Sequence, residues 1–242
     1  MHSTPLASTD HIAGNLAAVR SRIDTAAHRA GRSPSEITLI AVSKTFPAEC
    51  VRAAWEAGQR DFGENKVQEG ERKIAGTLDL TAARWHLIGH LQSNKARKAV
   101  AAFATVQTVD SPGLLARIDM AGVEQGVRRD VLIQVDLAGE ATKFGVPEAE
   151  VEALVHAAGH ARGVRPIGLM LIPPWNENPE QTRPWFVRLR ELRNRLVRNG
   201  VEPGALQHLS MGMSHDFEAA IEEGATMVRV GTAIFGARRT LR

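Results

Sequence analysis

The sequence predicts a single α/β domain, a (β/α)8 TIM barrel carrying an extra N-terminal helix. Three observations predict it. Short apolar runs alternate with helical stretches between residues 37 and 231. The runs are almost continuously apolar, as parallel strands buried on both faces are. Nothing breaks the alternation where an open, doubly wound sheet would reverse its strand order. Eight strands are expected, at 37–43, 60–63, 84–88, 105–109, 131–136, 166–171, 206–210 and 227–231.

The elements follow in order. Residues 1–9 read as a frayed tail, and the barrel domain is expected over 10–242. Ile12, Leu16, Val19 and Ile23 share one helical face, so an amphipathic helix runs to about Gly31. The Ser-Pro-Ser of residues 33–35 breaks it ahead of the first strand, which ends in Lys44. Pro47 opens a helix that stops at Gly58, and another starts near Asn65. Ser93 is expected to cap the third barrel helix, and Ser111 with Pro112 to begin the fourth. Pro147 opens the fifth, and the sixth runs from about 179 to 199, ending at Gly200. The seventh is expected to start at Ser214, with Asp216 and Glu218 suiting its positive end, and to stop at Gly224.

Composition narrows the function. The formal charge is +3 over 242 residues, and the basic residues are dispersed without interleaved aromatics, which argues against a nucleic-acid partner. Within 183–198, Phe186, Leu189, Leu192 and Leu196 fall at helical spacing, so the arginines between them form a solvated face. The single cysteine, Cys50, excludes an intrachain disulfide and suits a reducing compartment. The first ten residues lack the basic start and apolar core of a signal peptide, and no run is long enough to span a membrane. A cytoplasmic monomer is expected. His156 and His160 lie four apart with no glutamate to complete a zinc motif, so no metal site is expected.

Barrels gather their chemistry where strands end. Of six lysines only Lys44 closes an apolar strand; Lys66, Lys73, Lys95, Lys98 and Lys143 lie in polar, helical or loop contexts. A lysine that loses hydration at a strand mouth becomes an amine able to attack a carbonyl. Across the mouth, Ser-Met-Gly-Met-Ser (210–214) and Arg-Val-Gly-Thr (229–232) supply small residues, backbone N–H groups and the hydroxyls of Ser210 and Thr232. That combination suits phosphate, and loops seven and eight are where barrels commonly bind it. Lysine and phosphate site together suggest a phosphorylated carbonyl held as a Schiff base, either pyridoxal 5′-phosphate or the sugar phosphate of an aldolase. Arg229 helps to separate the two: if it faces a pyridine nitrogen, its fixed charge keeps that nitrogen unprotonated and weakens the ring as an electron sink.

Six ordered motifs carry a resemblance: Ala-Val-Ser-Lys-Thr (41–45), Phe-Gly-Glu-Asn (62–65), Trp-His-Leu-Ile-Gly-His-Leu-Gln-Ser-Asn-Lys (85–95), Gly-Leu-Met (168–170), Leu-Ser-Met-Gly-Met-Ser (209–214) and Val-Arg-Val-Gly-Thr-Ala-Ile-Phe-Gly (228–236). Together they resemble the pyridoxal phosphate homeostasis proteins, a family similar to the barrel domain of alanine racemase. The resemblance implies that Lys44 forms the Schiff base and Arg229 faces the pyridine nitrogen. It also implies that Ser210, Gly231 and Thr232 bind phosphate, and that Asn65 and Met170 line the ring. Lys66 stands where an aromatic residue is frequent in the family. The implied role is non-catalytic: binding the cofactor, influencing its supply and that of its vitamers, and passing it to apo-enzymes. A two-base racemase needs a second acid, which alanine racemases take from a tyrosine, and this sequence contains none. A different acid, such as His86 or His90, could stand in, and one-base exchange at the α-carbon stays open. A racemase-like enzyme and a Schiff-base aldolase are the alternatives.

Overall fold

The computed structural model describes residues 9–139 and 144–237. The expected tail over 1–9 therefore lies outside the described residues except for Thr9, which begins a short 3-10 turn. The strands are β1 Thr38–Val42, β2 Asp61–Glu64, β3 Arg84–Leu87, β4 Thr105–Val109, β5 Arg129–Asp136, β6 Val146–Pro147, β7 Val164–Met170, β8 His208–Met213 and β9 Met227–Val230. Eight of them run in the order β4-β3-β2-β1-β9-β8-β7-β5, every pair parallel. A further β4–β5 pairing joins the two ends and closes the barrel. The two-residue β6 pairs with the last two residues of β5.

The helices are α1 Ile12–Arg29, α2 Ala48–Glu56, α3 Val67–Ala75, α4 Ala96–Ala102, α5 Pro112–Gln125, α6 Val151–His160, α7 Arg183–Arg198, α8 Phe217–Glu222 and α9 Thr232–Phe235. The extra helix, α1, packs against α2, α8 and α9. Arg32 fastens its end there by donating to the carbonyls of Ile221 and Ala225, at 2.9 and 2.8 Å. The predicted apolar stripes of α1 and α7 are the buried ones. Two cores result. A large one fills the space between strands and helices, with Phe62, Phe103, Phe186 and Phe217 fully buried in it. A smaller one, Ile40, Leu132, Ile167, Met170 and Met227, fills part of the barrel interior.

Local chemistry explains where expectation and structure agree or differ. Ser111 is the N-cap of α5, its Oγ accepting from the Leu114 N–H at 3.3 Å. Ser111→Ala is expected to cost about 1 kcal/mol in a chemical denaturation experiment. Ser93 does not cap α4; it opens a 3-10 turn over Ser93–Lys95, and α4 begins at Ala96. The strand expected to end at residue 210 continues to Met213, its pairing with β9 shifting register between Ser210 and Met213. Consequently α8 does not start at Ser214. Asp216 is its N-cap, and the Asp216 carboxylate accepts from the Met213 N–H at 2.7 Å.

Candidate functional site

At the C-terminal mouth of the barrel lies a cavity of about 380 Å³. Lys44 and Arg229 both line it, from the ends of the neighbouring strands β1 and β9. Val42 and Ile88 give it an apolar side, while Met213, Ser214 and His215 with Gly231 and Thr232 form another. Ser214 Oγ accepts from the N–H groups of Gly231 and Ala233, at 3.1 and 3.4 Å, so the loops after β8 and β9 converge on one oxygen. Trp175 stands at the rim, 75% exposed, with its ring 6.4 Å from that of His215.

Arg229 is buried and held at two nitrogens. Nη1 donates to Ser210 Oγ at 2.7 Å and Nη2 to the Leu171 carbonyl at 2.8 Å. Its partners are a hydroxyl and a carbonyl, and the acidic Asp216 acts on it only through space. Burial pushes the guanidinium down to about 10. That still leaves it cationic at neutral pH.

Lys44 is half-buried, and both of its chain neighbours are pinned from behind. Ser43 Oγ donates to Glu64 Oε1 at 2.6 Å, and the Ser43 carbonyl accepts from Lys73 Nζ. Lys73 also donates to Glu64 Oε1 and Glu69 Oε1, at 2.6 and 2.9 Å. Glu69 Oε1 in turn accepts from the N–H of Thr45. Thr45 has φ of +69°, a left-handed conformation that a β-branched residue avoids unless its surroundings impose it. Glu64 and Lys73 are both buried, Lys73 on the inner face of α3. Burial, outweighing the attraction of Lys73, raises the Glu64 pKa above the carboxylate range. Burial works the same way on Glu69, but hydrogen bonds from Lys73 and the Thr45 N–H overcome it and hold its pKa low.

The structure brings four of the predicted residues, Lys44, Arg229, Gly231 and Thr232, to one cavity. It does not bring the other three to the wall. Ser210 is fully buried, its hydroxyl hydrogen given to Gln107 Oε1 at 2.7 Å, which leaves no donor for a phosphate. Met170 belongs to the interior core, and Asn65 sits in the turn after β2, its backbone packed so tightly on Gly89 that a Cβ there would lie 2.3 Å from the Asn65 carbonyl oxygen. Ser214, just beyond the end of β8 at Met213, lines the cavity instead. The network behind Lys44 had a signal of its own: Val67, Gly70 and Lys73 share the buried face of α3, and Glu69 precedes Lys73 by four.

The histidines considered as acids are both engaged. His86 lies below the mouth, buried, with Nε2 3.1 Å from Asp61 Oδ1 and Nδ1 3.2 Å from Gln107 Nε2. His90 stacks on Phe144 at 3.6 Å between ring centres and pairs with Asp110 at 3.3 Å. Among the described residues no group of histidine, cysteine and carboxylate side chains could hold a metal ion, and no helix is long and apolar enough to cross a membrane.

Residues 14–239 match the family described as alanine racemase, N-terminal domain. The pyridoxal phosphate homeostasis protein of Escherichia coli (strain K12) is 45% identical over 233 residues, covering 94% of this chain and 97% of the relative. The protein of that name from Aquifex aeolicus (strain VF5) is 43% identical over 224 residues, 93% of this chain and 97% of its own. Among solved structures, PipY of Synechococcus elongatus PCC7942 with PLP bound is similar at a TM-score of 0.83 and 40% identity, covering 93% of this chain and all of PipY.

Proposed function

Because the chain belongs to the pyridoxal phosphate homeostasis protein family, with a barrel of the alanine racemase N-terminal type, we propose that it binds pyridoxal phosphate in this cavity through Lys44. Its task on this reading is to hold the cofactor and pass it, or related vitamers, to apo-enzymes rather than to turn over a substrate. The supporting observation is the convergence of Lys44, Arg229 and the Ser214–Gly231–Thr232 wall on one cavity of about 380 Å³. That volume falls within the roughly 300–1,000 Å³ of small-molecule sites. PipY, a relative over its whole length, has a structure with PLP bound.

Pyridoxal phosphate supplies an aldehyde and a ring that can accept electrons once joined to an amine. The protein's part can be assigned residue by residue. Lys44 Nζ is the amine that captures the aldehyde, its turn fixed by the bonds to Ser43 and Thr45. Ser214 Oγ and Thr232 would hold the phosphate, with the Gly231 N–H, which donates to Ser214 Oγ, fixing that hydroxyl in place. Val42 and Ile88 offer an apolar surface to the ring. Arg229, anchored at Nη1 and Nη2, would hold the ring-nitrogen side of the cofactor, where its charge would disfavour a proton. An unprotonated ring is a weak electron sink, which suits storage. Two-base racemisation of an amino acid would also need an acid on the far face. The sequence has no tyrosine, His86 and His90 are engaged elsewhere, and His215 Nε2 is bonded to the Glu177 carbonyl at 2.8 Å.

The test is the visible spectrum of wild type and Lys44→Ala after adding pyridoxal phosphate and then borohydride. A lysine-dependent band, fixed by reduction as a phosphopyridoxyl group on Lys44, is expected. No band in the wild type, with trapping of a sugar phosphate instead, would replace this reading with an aldolase. With cofactor bound, α-proton exchange of amino acids in heavy water is expected to be negligible, while transfer to an apo-enzyme proceeds. Rapid exchange would make the protein a racemase-type enzyme.

A further inference from the structure

A second polar system crosses the barrel interior beneath the cavity. Arg229 Nη1 meets Ser210 Oγ at 2.7 Å, Ser210 Oγ meets Gln107 Oε1 at 2.7 Å, Gln107 Nε2 meets His86 Nδ1 at 3.2 Å, and His86 Nε2 meets Asp61 Oδ1 at 3.1 Å. Exposed Arg84 closes the line, its Nε donating to Asp61 Oδ1 at 2.7 Å. β4 and β8 are not neighbours in the ring, so the bond between Gln107 and Ser210 spans the interior. All four residues from His86 to Arg229 are buried, as is Asp61.

The chemistry of the two ends fixes the direction of every bond between them. A guanidinium only donates, so Ser210 Oγ accepts from Arg229 and spends its single hydrogen on Gln107 Oε1. That orients the amide, whose NH2 must then face His86 Nδ1. An ionised carboxylate only accepts, so His86 carries its hydrogen on Nε2 and has a lone pair on Nδ1 to receive the amide. Asp61 is ionised: burial tends to raise its pKa, but hydrogen bonds from His86 and Arg84 prevail and hold it below the ordinary value. Both ends thus demand the same arrangement, with His86 Nδ1 turned to the amide and Nε2 to the carboxylate. The second amide hydrogen of Gln107 faces Met227 Sδ at 3.8 Å.

We propose, resting on the reading of the cavity given above, that Gln107 is a positioning residue for Arg229: by taking the Ser210 hydrogen it turns a Ser210 lone pair to the guanidinium and fixes the face Arg229 presents to the cofactor ring. Without the Gln107 acceptor the Ser210 hydroxyl can rotate, and Nη1 loses a fixed partner. Among the described residues the Leu171 carbonyl is then the one fixed hydrogen-bond partner left to the guanidinium.

Two measurements on Gln107→Leu, which keeps the size of the side chain and removes its hydrogen bonds, test this. The first compares the affinity of pyridoxal phosphate with that of an analogue whose ring nitrogen is replaced by C–H. Wild type discriminates between them, and Gln107→Leu loses about five- to tenfold of that discrimination, the scale of one hydrogen bond. Loss of packing alone would weaken both ligands equally. The second, made without any ligand, follows exchange of the Arg229 Nε–H by NMR on protein labelled at arginine nitrogen. It is expected to speed up about tenfold while other arginine signals keep their rates. Discrimination and exchange both at wild-type levels would overturn the proposal, as would a wild type indifferent to the ring nitrogen. If Gln107→Leu does not fold, Ser210→Ala removes the same lone pair and carries the same expectations. Failure of the wild type to capture the cofactor at Lys44 would sink the functional reading, and the ligand-free exchange measurement would still decide whether Gln107 holds Arg229.

Discussion

Lys73→Met is expected to destabilise the protein by about 3–5 kcal/mol, because it strips the counter-charge from a buried carboxylate. Glu64 is fully buried, its Oε1 receives Lys73 and Ser43, and its Oε2 has no hydrogen-bond partner among the described residues. With Lys73 gone, the ionised form is left with one hydroxyl donor. The pH dependence has a definite sign. Burial already raises the Glu64 pKa in the folded state, and losing Lys73 raises it further. Between the ordinary carboxylate value and that raised one, the folded state holds a proton that the unfolded chain does not. Stability in that window therefore falls as pH rises, and the variant should recover on acidification toward the ordinary carboxylate value. Below that range the depressed carboxylate Asp61 acts oppositely, losing its contribution as it protonates. Urea unfolding of the variant at several pH values measures the trend, and a loss independent of pH would show that Glu64 is not the cause. Glu64→Gln combined with Lys73→Met should regain most of the stability, since removing both charges of a buried pair is often neutral. Cofactor capture at Lys44 should stay slow even then, because the Ser43 carbonyl and Glu69 have lost the ammonium that held them.

The barrel was legible because strands buried on both faces are written as apolar runs, and eight such runs allow few architectures. Lys44 and Arg229 were legible for a related reason: each is a charge set at the end of such a run. The other side of the site was harder to read. Ser-Met-Gly-Met looks like a turn, yet β8 continues through it with a register shift, so Ser210 stays inside the barrel and Ser214 reaches the mouth. Glu64 and Lys73 lie 9 positions apart on different elements, and strand periodicity says nothing of a partner on the next helix. The interior line from Asp61 to Arg229 draws on β2, β3, β4, β8 and β9, and its members meet only because the sheet closes. Met170 shows the same limit, since the motif near a strand end did not tell the cavity wall from the core below it.

Gly212→Ala should act on both the fold and the phosphate end of the cavity. Gly212 has φ of +91°, a conformation that L side chains rarely adopt, and a Cβ there would lie 2.6 Å from the Ala220 Cβ and 2.9 Å from the Phe217 Cα. Backbone strain of about 1–3 kcal/mol and overpacking of about 1–3 kcal/mol are to be expected together. Part of that can be relieved only by moving α8 or the strand end, and residues 213–215 travel with either. Ser214 would then leave the N–H groups of Gly231 and Ala233, on which the closing of this wall depends. The predicted result is a lower denaturation midpoint together with a selective loss of affinity. Pyridoxal phosphate should bind at least several-fold more weakly, whereas pyridoxal, which lacks the phosphate, should bind the variant nearly as it binds the wild type. Calorimetric titration of both ligands distinguishes this from general damage. Equal losses for the two would mean that the loop after β8 supports the barrel but does not touch the phosphate, and an unchanged midpoint would mean that α8 accommodates a methyl group that the packing around Gly212 leaves no space for.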